Sequence, residues 1–278
     1  MASGARKLIP NDPEKVMVIR SVTPDIKTFS TPFLRFGRVA IGGRGTAVRL
    51  ASGSSAVFSP VALTNTVRKE MESLGPAKYL VALDAEHHIF LEEWHKEYPN
   101  ATVIGPETLP GLRDKQGYFK IPQANWKLFT ANDANRQKLS VDADFDAEFD
   151  IEYVHGHANK EIVVNHRKSG TLIEADLLFN LPATEQMSKS GIDPKSGLLT
   201  KIFCWLNDTS GTALSQRRLI WYGIAQDKAS FNPAVSRIAQ WKFDRIIPCH
   251  GDVIETGGKG IFEKVMQWHI QAEQKKHK

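Results

Sequence analysis

Four short clusters in this chain carry side chains that bind transition metals. They are His87-His88, His155-Gly156-His157, Glu174-Ala175-Asp176 and Cys249-His250-Gly251-Asp252. Imidazoles and a carboxylate at the ends of separate strands are what such a site is made from. Three of the clusters directly follow an apolar run: YLVAL (79–83), TLIEA (171–175) and RIIP (245–248). The fourth, His155–His157, ends the alternating run FDAEFDIEYV (145–154).

The elements that must carry these clusters can be read from periodicity and punctuation. VMVIR (16–20), FLRFGRVA (33–40), TAVRL (46–50) and SAVF (55–58) are short, β-rich and separated by Pro, Gly and Ser, as consecutive antiparallel strands are. Ser59-Pro60 supplies a helix N-cap with proline behind it, Leu63, Val67, Met71 and Leu74 mark one helical face, and Gly75 stops it. Strand 79–83, a helix over 89–98 and strand 102–105 then make a βαβ unit with a parallel pair. WKLFT (126–130) and 145–154 resume strand character, and IVVNH (162–166) and TLIEA flank a hairpin turn. Residues 180–210, rich in Ser, Lys, Gly and Pro, read as a long loop or lid. Helices over 211–226 and 233–241, a last strand at 244–248 and a final helix complete the chain. The expected organisation is an irregular segment over 1–14 and one domain over 15–278.

Composition excludes several classes. With 41% hydrophobic and 24% charged residues among 278, the chain is globular rather than disordered. A net charge of +5 is too dilute to imply nucleic acid, and there is no basic stripe with interleaved aromatics. The basic tail Lys275, Lys276, His277, Lys278 offsets the C-terminal dipole of the last helix. Two cysteines, Cys204 and Cys249, make no disulfide framework. No apolar run approaches the ~18 residues of a membrane span, and the N-terminus lacks a secretory signal. The expectation is a cytoplasmic protein with a small-molecule substrate, no membrane, no nucleic-acid partner and an open oligomeric state.

The order of the clusters resembles the metallo-β-lactamase fold superfamily. Val154-His155-Gly156-His157 resembles that family's lone-histidine turn, with His157 as the ligand. Glu174-Ala175-Asp176-Leu177-Leu178-Phe179 is similar to its Gly-Asp-Ala-Leu-Phe segment, with Asp176 as the bridging carboxylate, and Ile246–Asp252 resembles its last His-Gly element. The family's first motif, HxHxDH, is remodelled. In the preferred register His87 and His88 take its last two positions, and Leu83 and Ala85 replace the first two histidines. A register shifted by one puts Asp84, Glu86 and His88 on the metal side and Ile89 in the last position. The segment EHHIFLEEW resembles a branch of the superfamily whose members keep adjacent histidines there, and membership of that branch is the expectation.

The resemblance implies an α/β fold, a four-layer αββα sandwich of two mixed sheets flanked by helices. It implies one divalent metal, zinc first and iron or manganese next, held by His87, His88, His157, Asp176 and His250. It implies a metal-dependent hydrolase of esters, lactones or thioesters, with Asp176 and His157 as the catalytic pair. His157 stands as a ligand or a proton shuttle. The alternative is a metal-free, inactive member of the fold that binds a ligand or a protein. Outside this set, Cys249 reads as a buried thiol, Asp252 as an orienting or capping carboxylate, and Trp205, Trp221 and Trp241 as core positions.

Overall fold

A computed structural model describes residue 10, residues 12–136 and residues 138–276. Most of the irregular segment expected over 1–14, and His277 and Lys278 of the basic tail, lie outside the described residues. Pro13–Val16 form a short helical turn.

Among the described residues, thirteen strands build the framework: β1 (Val18–Thr23), β2 (Ile26–Thr31), β3 (Leu34–Arg35), β4 (Val39–Ala40), β5 (Gly43–Arg49), β6 (Ser55–Phe58), β7 (Ala77–Val81), β8 (Thr102–Pro106), β9 (Trp126–Phe129), β10 (Phe149–Val154), β11 (Glu161–His166), β12 (Thr171–Ile173) and β13 (Arg245–Ile247). One sheet runs β1-β2-β5-β6-β7-β8-β9 and the other β10-β11-β12-β13, while β3 and β4 make a separate hairpin. The first sheet is antiparallel through β6 and parallel from β6 to β9. The parallel joins pass through the helices Asn65–Glu72, Leu91–Glu97 and Leu109–Lys115. In the second sheet only β12–β13 is parallel.

The two sheets face each other. Ile26, Phe58, Tyr79, Val81 and Ile104 of the first pack against Phe149, Tyr153, Ile162, Val164 and Ile247 of the second. The outer face of the first sheet buries Leu80 and Val103 against Val67, Met71, Leu91 and Trp94 of the helices. The outer face of the second does the same with Val163 and Leu172 against Phe231, Val235 and Ile238 of helix Lys228–Ile238 and Phe262 of helix Gly258–Val265. Helix, sheet, sheet, helix is the four-layer αββα architecture that the cluster order implies.

Several elements differ from expectation: β2 and helix Leu109–Lys115 have no counterpart in it, and the run 33–40, expected as one strand, is the β3–β4 hairpin. The helix expected at Ser59-Pro60 starts at Asn65, because Thr64 is the residue whose side chain accepts from the Val67 N–H. The run 145–154 is not one strand: Asp142 caps a helix, Ala143–Glu148, by accepting from the N–H groups of Asp144 and Phe145, and β10 follows. Phe145 and Phe149 stand four apart, a spacing that serves a helical face as well as an alternating one. The stretch 180–210 is not a loop throughout. It holds the helices Thr184–Met187 and Leu198–Leu206.

Candidate metal centre

The first ligand position is built by a carboxylate that folds the chain around itself. Beyond β7 the chain is stitched to the second sheet: Ile162 N donates to Leu83 O at 2.6 Å, and Ala85 N donates to Asn159 O at 3.0 Å. Asp84, fully buried, accepts three bonds of 2.8 Å on Oδ1, from the backbone N–H groups of Glu86 and His87 and from His87 Nδ1. An aspartate that accepts from residues two and three ahead makes a tight turn. The turn also fixes the His87 tautomer, with the proton on Nδ1 and the Nε2 lone pair pointing inward.

His250 follows β13 in a loop gripped from two sides. Arg44 donates through NH1 to Pro248 O and Gly251 O, both at 2.7 Å. The Gln186 amide donates to Cys249 O at 2.7 Å and accepts from Gly251 N at 2.8 Å. Gly251 has φ +93°, and a Cβ there would stand 2.1 Å from Asn180 O, so glycine is required. His250 Nδ1 donates to Gly42 O at 2.7 Å, which again leaves Nε2 bare.

Asp176 follows β12. Its backbone N–H and that of Ala175 donate to the two carboxylate oxygens of the buried Glu161, at 2.9 and 2.8 Å. Asp176 Oδ2 accepts from Asn159 Nδ2 at 2.6 Å, while the buried Oδ1 has no hydrogen-bond partner among the described residues.

These three residues converge. His87 Nε2 lies 3.1 Å from His250 Nε2, and Asp176 Oδ1 lies 3.3 Å from His250 Nε2 and 4.0 Å from His87 Nε2. Two imidazole lone pairs aimed at each other, beside an orphaned carboxylate oxygen, need a cation between them. That donor set fits a divalent transition metal, and the Asp84 and Gly42 contacts are the outer partners that orient ligating imidazoles. A proton can serve the same lone pairs. Burial works against a charge on His87, but the Asp84 and Asp176 carboxylates prevail and push its pKa up to about 10. Burial likewise opposes the Asp176 charge, and the imidazoles of His87 and His250 outweigh it and hold the carboxyl below its usual range.

The structure brings His87, Asp176 and His250 together and sets His88 elsewhere. The His88 ring turns to the other side of the chain, edge-on to Tyr118 with centroids 5.2 Å apart and with Nδ1 3.3 Å from Arg113 NH1. Burial first, and the Arg113 charge second, push its pKa down to about 4. Adjacent side chains cannot both face inward once Asp84 has fixed the turn. His157 is fully buried next to the cluster. Its Nδ1 accepts from Asn159 N at 3.1 Å, so a neutral ring carries its proton on Nε2, 3.6 Å from Glu161 Oε2. Burial pulls the His157 pKa down, which keeps the ring neutral. Leu83, at one missing family position, is packed in the inter-sheet core.

Cys249 is buried in that same core, and burial pushes its thiol pKa well up. Asp252 accepts from Glu185 N at 2.8 Å, so it caps a helix instead of orienting a ligand. The residues that sequence reading passed over are Asn159 and Glu161, which set Asp176, and Asp84 in its role as a turn former. Asp84 carried a signal: a carboxylate at the mouth of an apolar strand, three residues before a histidine.

Above the triad lies a cavity of about 220 Å³. Phe33, Phe36, Val61, Ile89 and Phe90 supply much of its wall, His87 and His250 its floor, and Arg35, Arg44 and Glu86 its charged groups.

Comparison with solved structures gives the class. The metallo-β-lactamase FIM-1 from Pseudomonas aeruginosa in its mono-zinc form superposes with TM-score 0.56 at 16% identity, over 92% of this chain and 96% of that one. A metallo-β-lactamase from Hirschia baltica superposes with TM-score 0.54 at 11% identity, over 92% and 98%. The Flv1 flavodiiron core from Synechocystis sp. PCC6803 superposes with TM-score 0.59 at 11% identity, over 91% of this chain and 60% of that one. This chain has the metallo-β-lactamase fold. No curated protein sequence matches it. The family described as a domain of unknown function, DUF4336, matches over residues 33–201, and the chain belongs to that family.

Proposed function

We propose that this protein is a metal-dependent hydrolase with a single remodelled site. His87, Asp176 and His250 hold the ion. The observation that carries this reading is the pair of bare Nε2 atoms 3.1 Å apart, each set by a hydrogen bond on its Nδ1. A divalent ion held by this set supplies Lewis acidity toward a carbonyl oxygen and makes water acidic enough to react near neutral pH. Asp176 Oδ1 would ligate the ion and could accept a hydrogen bond from a water beside it, while Oδ2 stays tied to Asn159. His157 keeps its proton on Nε2 toward Glu161 and steadies the carboxylate that positions Asp176. Its part is positioning, in place of the ligand or shuttle that the resemblance implies. The apolar wall of the cavity excludes bulk water and suits the acyl part of an ester, lactone or thioester.

The test is metal content of chelator-free protein together with turnover of aryl ester, lactone and thioester panels. We expect close to one equivalent of zinc, iron or manganese, a raised melting temperature on adding the metal, and hydrolysis lost with chelator. Less than about a tenth of an equivalent and no thermal shift would overturn the reading and leave the metal-free binding module in its place.

A further inference from the structure

Helix Leu198–Leu206 is apolar on both sides. Its inner face, Thr200, Phe203, Cys204 and Asn207, is buried or half-buried. Phe203 packs on Phe179 (centroids 5.9 Å apart), and Phe179 packs on His250 (4.8 Å), so this face rests on the wall of the metal centre. The outer face, Leu198, Leu199, Ile202 and Trp205, is 73%, 50%, 44% and 63% exposed. Trp205 is therefore no core residue. The β3–β4 hairpin lies against the same helix, with Ala40 N donating to Thr200 Oγ1 at 3.2 Å, and its tip residue Phe36 is 79% exposed. Phe36 also lines the cavity above the triad. The hairpin that packs on this helix thus also carries a residue of the cavity wall.

The charges around this surface are mostly basic, with Glu86 beside Arg35 at the cavity mouth an exception. Residues 189–218 contain Lys189, Lys195, Lys201, Arg217 and Arg218 against Asp193 and Asp208. The hairpin adds Arg35 and Arg38. Arg38, Lys195, Lys201 and Arg218 are exposed, and among the described residues none has a carboxylate within 4.0 Å. A helix with leucine, isoleucine and tryptophan on one face and cations at the margin has the composition of a segment that lies in a lipid headgroup layer.

We propose that helix Leu198–Leu206 and the β3–β4 hairpin form a docking surface for an anionic lipid membrane, with the mouth of the cavity facing that membrane. No described helix is long and apolar enough to cross a membrane. The expectation of no membrane partner rested on such a span, and peripheral docking does not require one. The proposal stands on the surface alone, so it can fail while the hydrolase reading survives, and the reverse.

The experiment is sedimentation of the full chain with vesicles of pure phosphatidylcholine and with vesicles one third phosphatidylserine. We expect binding to the second, weakened by salt, and little to the first. The double variant Leu198→Glu/Trp205→Glu alters only exposed positions, and we expect it to bind at least about tenfold more weakly. The variant Arg38→Gln/Lys201→Gln should lose roughly fivefold per charge. Circular dichroism and metal content should match wild type in both. No sedimentation with either vesicle, or sedimentation untouched by both variants, overturns the proposal. Self-association of the wild type that Leu198→Glu/Trp205→Glu abolishes, without lipid binding, also overturns it and assigns the surface to a second copy of the chain.

Discussion

His87 and His88 share a peptide bond and little else. His87 faces two carboxylates and another imidazole, and its pKa rises to about 10. His88 faces a guanidinium and a tyrosine ring, and its pKa falls to about 4. Both are shielded from water, so burial alone does not separate them. The sign of the neighbouring charge decides which imidazole can serve a cation. His269 repeats the His88 case far from the site. It sits on helix Gln267–Lys276 and faces helix Lys228–Ile238, with Nδ1 2.7 Å from Asn232 Oδ1 and its ring packed on Phe231 and Trp221.

The comparison can be broken most directly at the ligands. Asp176→Asn or His250→Ala should weaken metal binding by more than about a hundredfold in a chelator competition, while His88→Gln should stay within about threefold of wild type. Equal losses in all three would erase the distinction between the two sides of the turn.

The next effect is on acid stability and concerns His269. Burial first, and Lys228 second, push its pKa from 6.5 down to about 4. Above pH 6.5 the ring is neutral in the folded and the unfolded chain alike. Between 6.5 and 4 only the unfolded chain takes the proton, so stability falls as pH falls across that window. The full loss is on the order of 3 kcal/mol by pH 4. Urea melts across this range should show the slope in wild type and a flatter line in His269→Gln. Parallel lines would remove His269 as the cause.

His88→Ala should cost about 2 kcal/mol in the same melts, by leaving the buried Arg113 with one partner fewer and a cavity beside Tyr118. Metal affinity should not change. The smallest effect is expected at Asp84→Asn, which keeps the shape of the turn and removes the charge behind His87. About tenfold weaker metal binding is expected there, since outer partners tune a ligand without replacing it. A variant indistinguishable from wild type would show that the turn, and not the charge, is what His87 needs.

The comparison also shows which parts of the molecule were legible in the sequence. Asp176 and His250 could be read because each follows a short apolar strand whose end must reach a sheet edge. His87 and His88 could be read as a pair but not separated. Their fates depend on the three bonds to Asp84 Oδ1, a local contact that leaves no periodic trace. Helix Leu198–Leu206 was hidden for a different reason: it is short, and the Ser, Lys, Gly and Pro around it read as loop. The four layers were legible because alternation, helical faces and a βαβ unit all describe the same sandwich. His157 was found by position, but its role turns on the Asn159 N–H that occupies Nδ1, which no spacing rule reports.

Arg44 reaches from β5 to Pro248 and Gly251, and Gly42 reaches His250, across more than 200 residues of chain. This sets an order of events during synthesis. His87 and Asp176 emerge before His250, but β12, which leads to Asp176, pairs with β13, which leads to His250, so the site closes only once the last strand has docked. Any fragment that stops short of residue 250 lacks a ligand, and any that begins after Arg44 lacks the grip that aims it. In the proposed site, an ion held by all three residues would require the segments around Arg44, His87, Asp176 and His250 to be docked together.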